Sequence, residues 1–127
     1  MKRTDVVCGV IYNSNNEVLI TQRGDELNYM KWEFPGGKVK GNEDVFKALE
    51  REILEELNLC IKSQKKLHNE EINSSNSVYN LIFIKALYVS GDIKLNEHLD
   101  YKWVKVVQLA NYDLLEGDLS FIREKLI

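Results

Sequence analysis

Between Asn42 and Asn58 the apolar residues recur at a spacing that suits a helix and not a strand. Val45, Phe46, Leu49, Ile53 and Leu57 fall on one side of a cylinder turning about 3.6 residues per turn. The spacing predicts a helix of roughly four turns, with Asn42 as its N-cap and Glu43 and Asp44 favourably placed in its first turn. It should end near Asn58, because Asn tolerates the left-handed backbone that helix C-termini often adopt. The flanking segments read as strands. Val6 to Tyr12 and Glu17 to Gln22 form a hairpin about the polar turn Asn13-Ser14-Asn15-Asn16, and Val78 to Val89 is rich in aromatic and aliphatic residues. Leu59 to Ile72 holds one or two strands interrupted by the basic stretch Lys62 to Lys66. Tyr101 to Val107 forms a short strand and Leu119 to Leu126 a terminal amphipathic helix. A helix set among strands in this order is compatible with an α/β fold.

With 127 residues the chain is expected to be one domain, 1–127, and one site should carry the function. The contents of 44% hydrophobic and 29% charged residues are ordinary for a globular protein and indicate neither disorder nor a membrane span. A net charge of −3 argues against broad binding to a nucleic acid polymer and leaves small ligands. The start, Met1-Lys2-Arg3-Thr4-Asp5, lacks the apolar run and cleavage site of a signal peptide, so a cytoplasmic location is expected. Cys8 and Cys60 sit in apolar surroundings and are expected to be reduced core residues. His68 and His98 are far apart and lack any CxxC or HxxxH neighbour, so a zinc site is not expected.

Two features of the sequence are unusual. Residues Gly24 to Lys31 are polar and irregular and lead through Trp32-Glu33-Phe34 into Pro35-Gly36-Gly37, where the backbone is expected to bend sharply. In the last turns of the helix, Glu52, Glu55 and Glu56 fall within an arc of roughly 100°. As like-charged neighbours they cost ~0.2–0.5 kcal/mol per pair, and each loses roughly 0.3–1 kcal/mol at the negative end of the helix dipole, ~1–4 kcal/mol together. A divalent cation would reverse the sign of these terms, and clustered carboxylates with a carbonyl are the hard donors that Mg²⁺ prefers. Taken alone, the triplet also reads as a solvated acidic face eased by an Arg51–Glu55 contact at i,i+4.

The wider pattern decides between these readings. It runs from Gly37 to Glu43, then Arg51-Glu52-Ile53-Leu54-Glu55-Glu56-Leu57-Asn58-Leu59. This closely resembles the Nudix box: a glycine, an acid six positions on, Arg-Glu, an aliphatic, any residue, Glu-Glu, any residue, a glycine and an aliphatic. Asn58 stands where the family usually has glycine. The approach Trp32-Glu33-Phe34-Pro35-Gly36-Gly37-Lys38 is similar to that of MutT-type members. The resemblance implies a mixed sheet sandwiched between helices (α/β/α) and hydrolysis of a nucleotide within its phosphate chain with Mg²⁺, or Mn²⁺ in its place.

Carried over by position, the resemblance makes Glu52, Glu55 and Glu56 metal ligands together with the Gly36 carbonyl. Glu52 is also a candidate to orient or deprotonate the attacking water. Arg51 is expected to fix the glutamates as an ion-pair partner, and Glu43 to support the loop. Glu97 resembles the acid that MutT-type enzymes bring from a distant loop, with an exposed loop carboxylate as the alternative. His98 has a weaker claim to a role. Arg23 and Lys38 are candidates for phosphate oxygens or plain surface charges. Asp118 falls where related enzymes place an Asn or Asp against the base, or else caps the last helix. Phe34 and Tyr79 are candidate walls for the base or core residues. The implied reaction converts (deoxy)nucleoside triphosphates to the monophosphate and pyrophosphate, with oxidised nucleotides such as 8-oxo-dGTP leading. CTP or modified dCTP comes next, followed by ADP-ribose and dinucleoside polyphosphates, and a non-catalytic nucleotide sensor is the rival class. A nucleotide is the expected partner of a monomer or homodimer, with no membrane.

Overall fold

The computed structural model describes residues 2–126; Met1 and Ile127, within the expected domain span 1–127, lie outside the described residues. The strands are β1 (Lys2–Tyr12), β2 (Val18–Gln22), β3 (Trp32–Glu33), β4 (Gly36–Lys38), β5 (Cys60–Ser74), β6 (Ser77–Ser90) and β7 (Asp100–Val104). Helix α1 spans Val45–Leu57 and α2 Glu116–Phe121. A 3₁₀ helix over Val106–Asn111 precedes α2, and a π turn over Ile122–Leu126 follows it.

β1 organises the sheet. Along one edge it pairs in parallel with β6, from Lys2 opposite Ser77 to Tyr12 opposite Leu87. Along the other it pairs first with β4, Val6 opposite Lys38 and Cys8 opposite Gly36, and then at Tyr12 with Val18 of β2. β5 runs antiparallel beyond β6, and β2 carries both β3 and β7, so the sheet is mixed. The period-2 alternation of strands sends neighbouring residues of β1 to opposite faces. Val7 and Ile11 join Leu49, Ile53 and Leu57 of α1 in one core. Cys8 and Val10 join Phe34, Phe83 and Phe121 in the other. Helices therefore cover both faces, and the sandwich that the sequence implied is present.

Several local expectations change. Asp44, not Asn42, caps α1, its carboxylate accepting from the Lys47 amide at 3.2 Å. Gly41 turns the chain at φ +51° just before, and Glu43 is committed elsewhere, so neither Glu43 nor Asp44 lies in the first helical turn. The stretch from Cys60 is a single long strand. Its lysines do not interrupt it, because β5 lies at the sheet edge and absorbs them with register shifts at Ser63/Lys65 and Lys66/His68. Cys8 is buried as expected, whereas Cys60, at the first position of β5, is exposed. The strand from Asp100 ends at Val104, and the 3₁₀ helix starts at Val106. α2 starts ahead of the expected Leu119, since Gly117 lets it settle on the sheet: a Cβ there would lie 2.5 Å from Leu81 Cδ1 and 2.8 Å from Ile72 Cδ1. Among the described residues no helix is long and apolar enough to cross a membrane.

Candidate active site

The site is built where β4 meets the C-terminal half of α1. Gly36 and Gly37 do not form a sharp bend; they lie in a strand paired with β1 and their value is close approach. A Cβ on Gly36 would fall 1.8 Å from the Val7 carbonyl oxygen, and one on Gly37 2.2 Å from Glu52 Oε2. Only a residue without a side chain lets the strand lie against both β1 and the carboxylate. The Gly9 amide, donating to the Pro35 carbonyl at 2.7 Å, pins the entry to this strand.

The far end of α1 is fixed by its orphan carbonyls. Asn58 adopts the left-handed conformation (φ 60°, ψ 32°) expected of it and donates its amide to the Leu54 carbonyl at 3.0 Å. The segment after β6 satisfies two more carbonyls: the Lys94 amide donates to Leu57 at 3.0 Å and the Asn96 amide to Glu56 at 3.3 Å. Those bonds deliver the next residues, Glu97 and His98, to the acidic edge of the helix, although they are some forty positions away in the chain.

Arg51 organises the acids. Its Nε and Nη2 grip Glu43 in a bidentate pair at 2.7 and 2.9 Å, and its Nη1 holds Glu52 at 3.0 Å and Glu55 at 3.1 Å. Nη2 also donates to the Lys38 carbonyl at 3.2 Å. Glu43 in turn accepts from the Lys40 amide at 3.1 Å, which ties down the loop before α1. The Arg51 contact, and after it the Lys40 amide, hold the Glu43 carboxyl down at about 2.

Glu56 has no such relief. Its Oε2 is buried without a hydrogen-bond partner among the described residues. Burial, then the charges of Glu97 and Glu52, push its carboxyl above the ordinary value. Glu52, Glu56, Glu97 and His98 line a cavity of 360 Å³ whose wall includes Gly36, Gly37 and Lys38. Glu55 is not part of this lining; it sits at the rim, 47% exposed, on Arg51. An all-oxygen donor set containing a partnerless buried carboxylate oxygen fits a hard divalent cation.

Arg23 also lines this cavity, bonded through Nε to Asp25 at 2.6 Å and through Nη1 to Glu33 at 3.0 Å. The second oxygen of Glu33 meets His98 Nε2 at 3.0 Å. Glu33 thus joins Arg23 to the loop carrying Glu97. Sequence reading gave Glu33 and Asp25 no role and His98 little. The only signal was the position of Glu33 inside the Trp32-to-Lys38 stretch, and the pairing partner lies 65 residues away.

Asp118 is separate from this cavity and buried. The Phe34 amide donates to its Oδ2 at 3.0 Å. Burial drives its carboxyl up to about 8 against the pull of that N–H, with Glu33 adding to the rise and Arg23 opposing it. It does not cap the last helix: Leu115 occupies the N-cap and Asp118 lies within the first turn. The Phe34 ring is a core element, 2% exposed, edge-on to Phe83 at 6.3 Å and Phe121 at 6.0 Å. Tyr79 pairs with Thr4 and Ile72, two positions along β6 from Leu81, and so shares the sheet face on which α2 and Asp118 rest. Neither ring lines the acidic cavity.

The NUDIX domain model matches residues 2–125. An 8-oxo-dGTP diphosphatase of Buchnera aphidicola subsp. Schizaphis graminum is 43% identical over 134 residues, covering 98% of this chain and 94% of that protein. A CTP pyrophosphohydrolase of Escherichia coli K12 is 27% identical over 128 residues, 96% of this chain and 90% of the other. Among solved structures, the E. coli ORF135 protein superposes with a TM-score of 0.87 at 26% identity, covering 97% of this chain and 88% of its own.

Proposed function

This chain belongs to the Nudix family, and from that premise we propose that residues 1–127 act as one domain that hydrolyses (deoxy)nucleoside triphosphates to the monophosphate and pyrophosphate with Mg²⁺, or Mn²⁺, as cofactor. The observation that carries this reading is the partnerless buried oxygen of Glu56 beside Glu52 and Glu97 in the cavity. Three acids at one wall are a poor arrangement for an apo protein and a good one for a cation-bridged polyphosphate.

In this reading Glu52, Glu56, Glu97 and the Gly36 carbonyl hold the ion in the cavity, and Glu55 joins them from the rim. When bound, it neutralises phosphate oxygens and the leaving pyrophosphate. Glu52, with one oxygen on Arg51, orients the attacking water and takes its proton. Arg51 acts through the glutamates it positions and does not reach substrate. Arg23, whose Nη2 is in neither of its ion pairs, meets phosphate within the cavity, and Lys38 adds a point charge at the strand end. No covalent nucleophile is needed.

Asp118 favours an oxidised purine nucleotide such as 8-oxo-dGTP as substrate. With its titration moved up to about 8, the carboxyl is largely protonated at neutral pH. Since Oδ2 accepts the Phe34 amide, the acid can offer its O–H to a base carbonyl. The role that follows is the cleansing of oxidised nucleotides from the precursor pool, and so protection of DNA. CTP or modified dCTP is the second reading, favoured by the likeness to the CTP pyrophosphohydrolase; it would need Asp118 ionised, accepting from an exocyclic amino group.

The test is incubation with Mg²⁺ and a panel of nucleotides, including 8-oxo-dGTP, dGTP, CTP, ADP-ribose and a dinucleoside polyphosphate, with products identified. Pyrophosphate release with 8-oxo-dGTP preferred is expected. Orthophosphate as the product would reject the cleavage position. A nucleotide-dependent rise in melting temperature with no product would mark a sensor instead.

A further inference from the structure

On β5, behind the second core, the fold gathers a donor group that shares no residue with the catalytic cavity. His68 and Glu70 lie two positions apart on β5, and Glu124 reaches them from the π turn after α2. One nitrogen and two carboxylate oxygens from these residues lie within 4.8 Å of one another. His68 Nε2 is 2.9 Å from Glu70 Oε1 and 3.7 Å from Glu124 Oε2. The imidazole is braced: it stacks on Phe121 at 5.8 Å with 23° between the planes, and tilts over Phe83 at 6.3 Å. The chain approaches from two directions to make this group, which is why the sequence, with its two isolated histidines, did not announce it.

An ion pair accounts for only half of the arrangement. Nε2 carries at most one proton, which suits the Glu70 contact; Glu124 stands beyond hydrogen-bond range. Two carboxylates therefore face a single N–H. Zinc-class ions hold nitrogen and oxygen donors at about 2.0–2.2 Å, which places adjacent donors roughly 3–3.6 Å apart. The two distances from Nε2 bracket that range and all three donor atoms lie within 4.8 Å of one another, so movement of the exposed Glu124 side chain toward the other two would bring the set to coordinating distance. Imidazole with carboxylates also suits borderline first-row ions, whereas Mg²⁺ prefers an all-oxygen set.

We propose that His68, Glu70 and Glu124 form a second metal site for a divalent transition ion of the zinc type, with water in the remaining positions. Bound there, the ion ties the C-terminal turn to β5. The intervening chain carries Phe121 and Asp118, so occupancy steadies the helix that supplies the buried acid.

The test is titration of the whole chain with ZnCl₂ in saturating Mg²⁺, followed by calorimetry, by the imidazole nitrogen resonances of His68 and by melting temperature. One equivalent should bind, move the His68 Nε2 signal and raise the melting temperature. Glu124→Gln, at a side chain 58% exposed and so harmless to folding, should weaken binding by at least the roughly 10-fold that loss of even an outer supporting residue brings. Glu56→Gln, at the catalytic cavity, should leave this binding intact. Zinc binding that survives Glu124→Gln but vanishes in Glu56→Gln, or a His68 signal that ignores zinc, would reduce the group to an ion pair and overturn the proposal.

Discussion

The acids on α1 and the carboxyl of Asp118 are the same chemical group in opposite surroundings. Glu52, Glu55 and Glu56 are close in sequence, share one helical edge and face a cavity or solvent, with a single guanidinium holding two of them. Asp118 stands alone, 3% exposed, with a backbone amide from a residue 84 positions away as its partner. A crowd of acids along a cavity lowers its energy with a cation; a solitary buried acid lowers its own by keeping a proton. The first solution suits a metal-held phosphate chain. The second suits a neutral hydrogen-bonding group beside a base.

Neutralising one charge at each place should therefore have opposite signatures. Glu56→Gln should lower turnover by at least about 100-fold, since several kcal/mol of charge stabilisation are lost at about 1.4 kcal/mol per decade. The melting temperature of the metal-free protein should hold or rise, because a partnerless buried carboxylate and its repulsions go with the charge. Near-normal turnover in a Mg²⁺-saturated assay would reject the metal role.

Gly37→Ala should come next, with a loss on the order of 100-fold, the scale set by an ångström of misplacement. The new Cβ would land 2.2 Å from Glu52 Oε2, a side-chain end that can swing away, so melting should change little. Gly36→Ala provides the contrast: its Cβ meets the Val7 backbone oxygen at 1.8 Å, and folding itself should suffer. Paired measurement of kcat and melting temperature separates the two.

Asp118→Asn should act on stability against pH. The carboxyl loses its proton near the ordinary 3.8 in the unfolded chain and near about 8 in the folded one. Its protonated burial is fully stabilising below pH 3.8, and that contribution is lost as pH rises to 8, by several kcal/mol at about 1.4 kcal/mol per unit. The Asn variant should show a flatter profile over that window in denaturant titrations. Its Ala counterpart should change the ranking of bases and leave the Mg²⁺ requirement alone; an unaltered ranking would remove Asp118 from base recognition.

The smallest effect is expected at Asn58→Gly. Glycine accepts φ 60° without strain, while the 3.2 Å bond from Asn58 Nδ2 to the Asp92 carbonyl is lost. The two should nearly cancel, within about 0.5 kcal/mol, the usual range away from special features. A larger loss would show that the side chain helps hold the Glu97 segment.

What could be read from the residues alone was whatever neighbours along the chain determine. The helical period from Val45 to Leu57, the shared edge of Glu52, Glu55 and Glu56, the reach of Arg51 to Glu55 and the left-handed end at Asn58 all follow from geometry within a few turns. The cap at Asp44 and the unbroken β5 were missed because a competing contact, Glu43 with Arg51, and an edge position in the sheet overrode local preference.

Only the tertiary structure decided which distant groups meet. It put Glu97 on α1 through carbonyls that any residues could have satisfied, joined Glu33 to His98, buried Asp118 behind Phe34, and turned two glycines from presumed bends into close contacts. The physical reason is that spacing encodes direction around one element, whereas burial and long-range pairing depend on how faces stack, and no local pattern carries that.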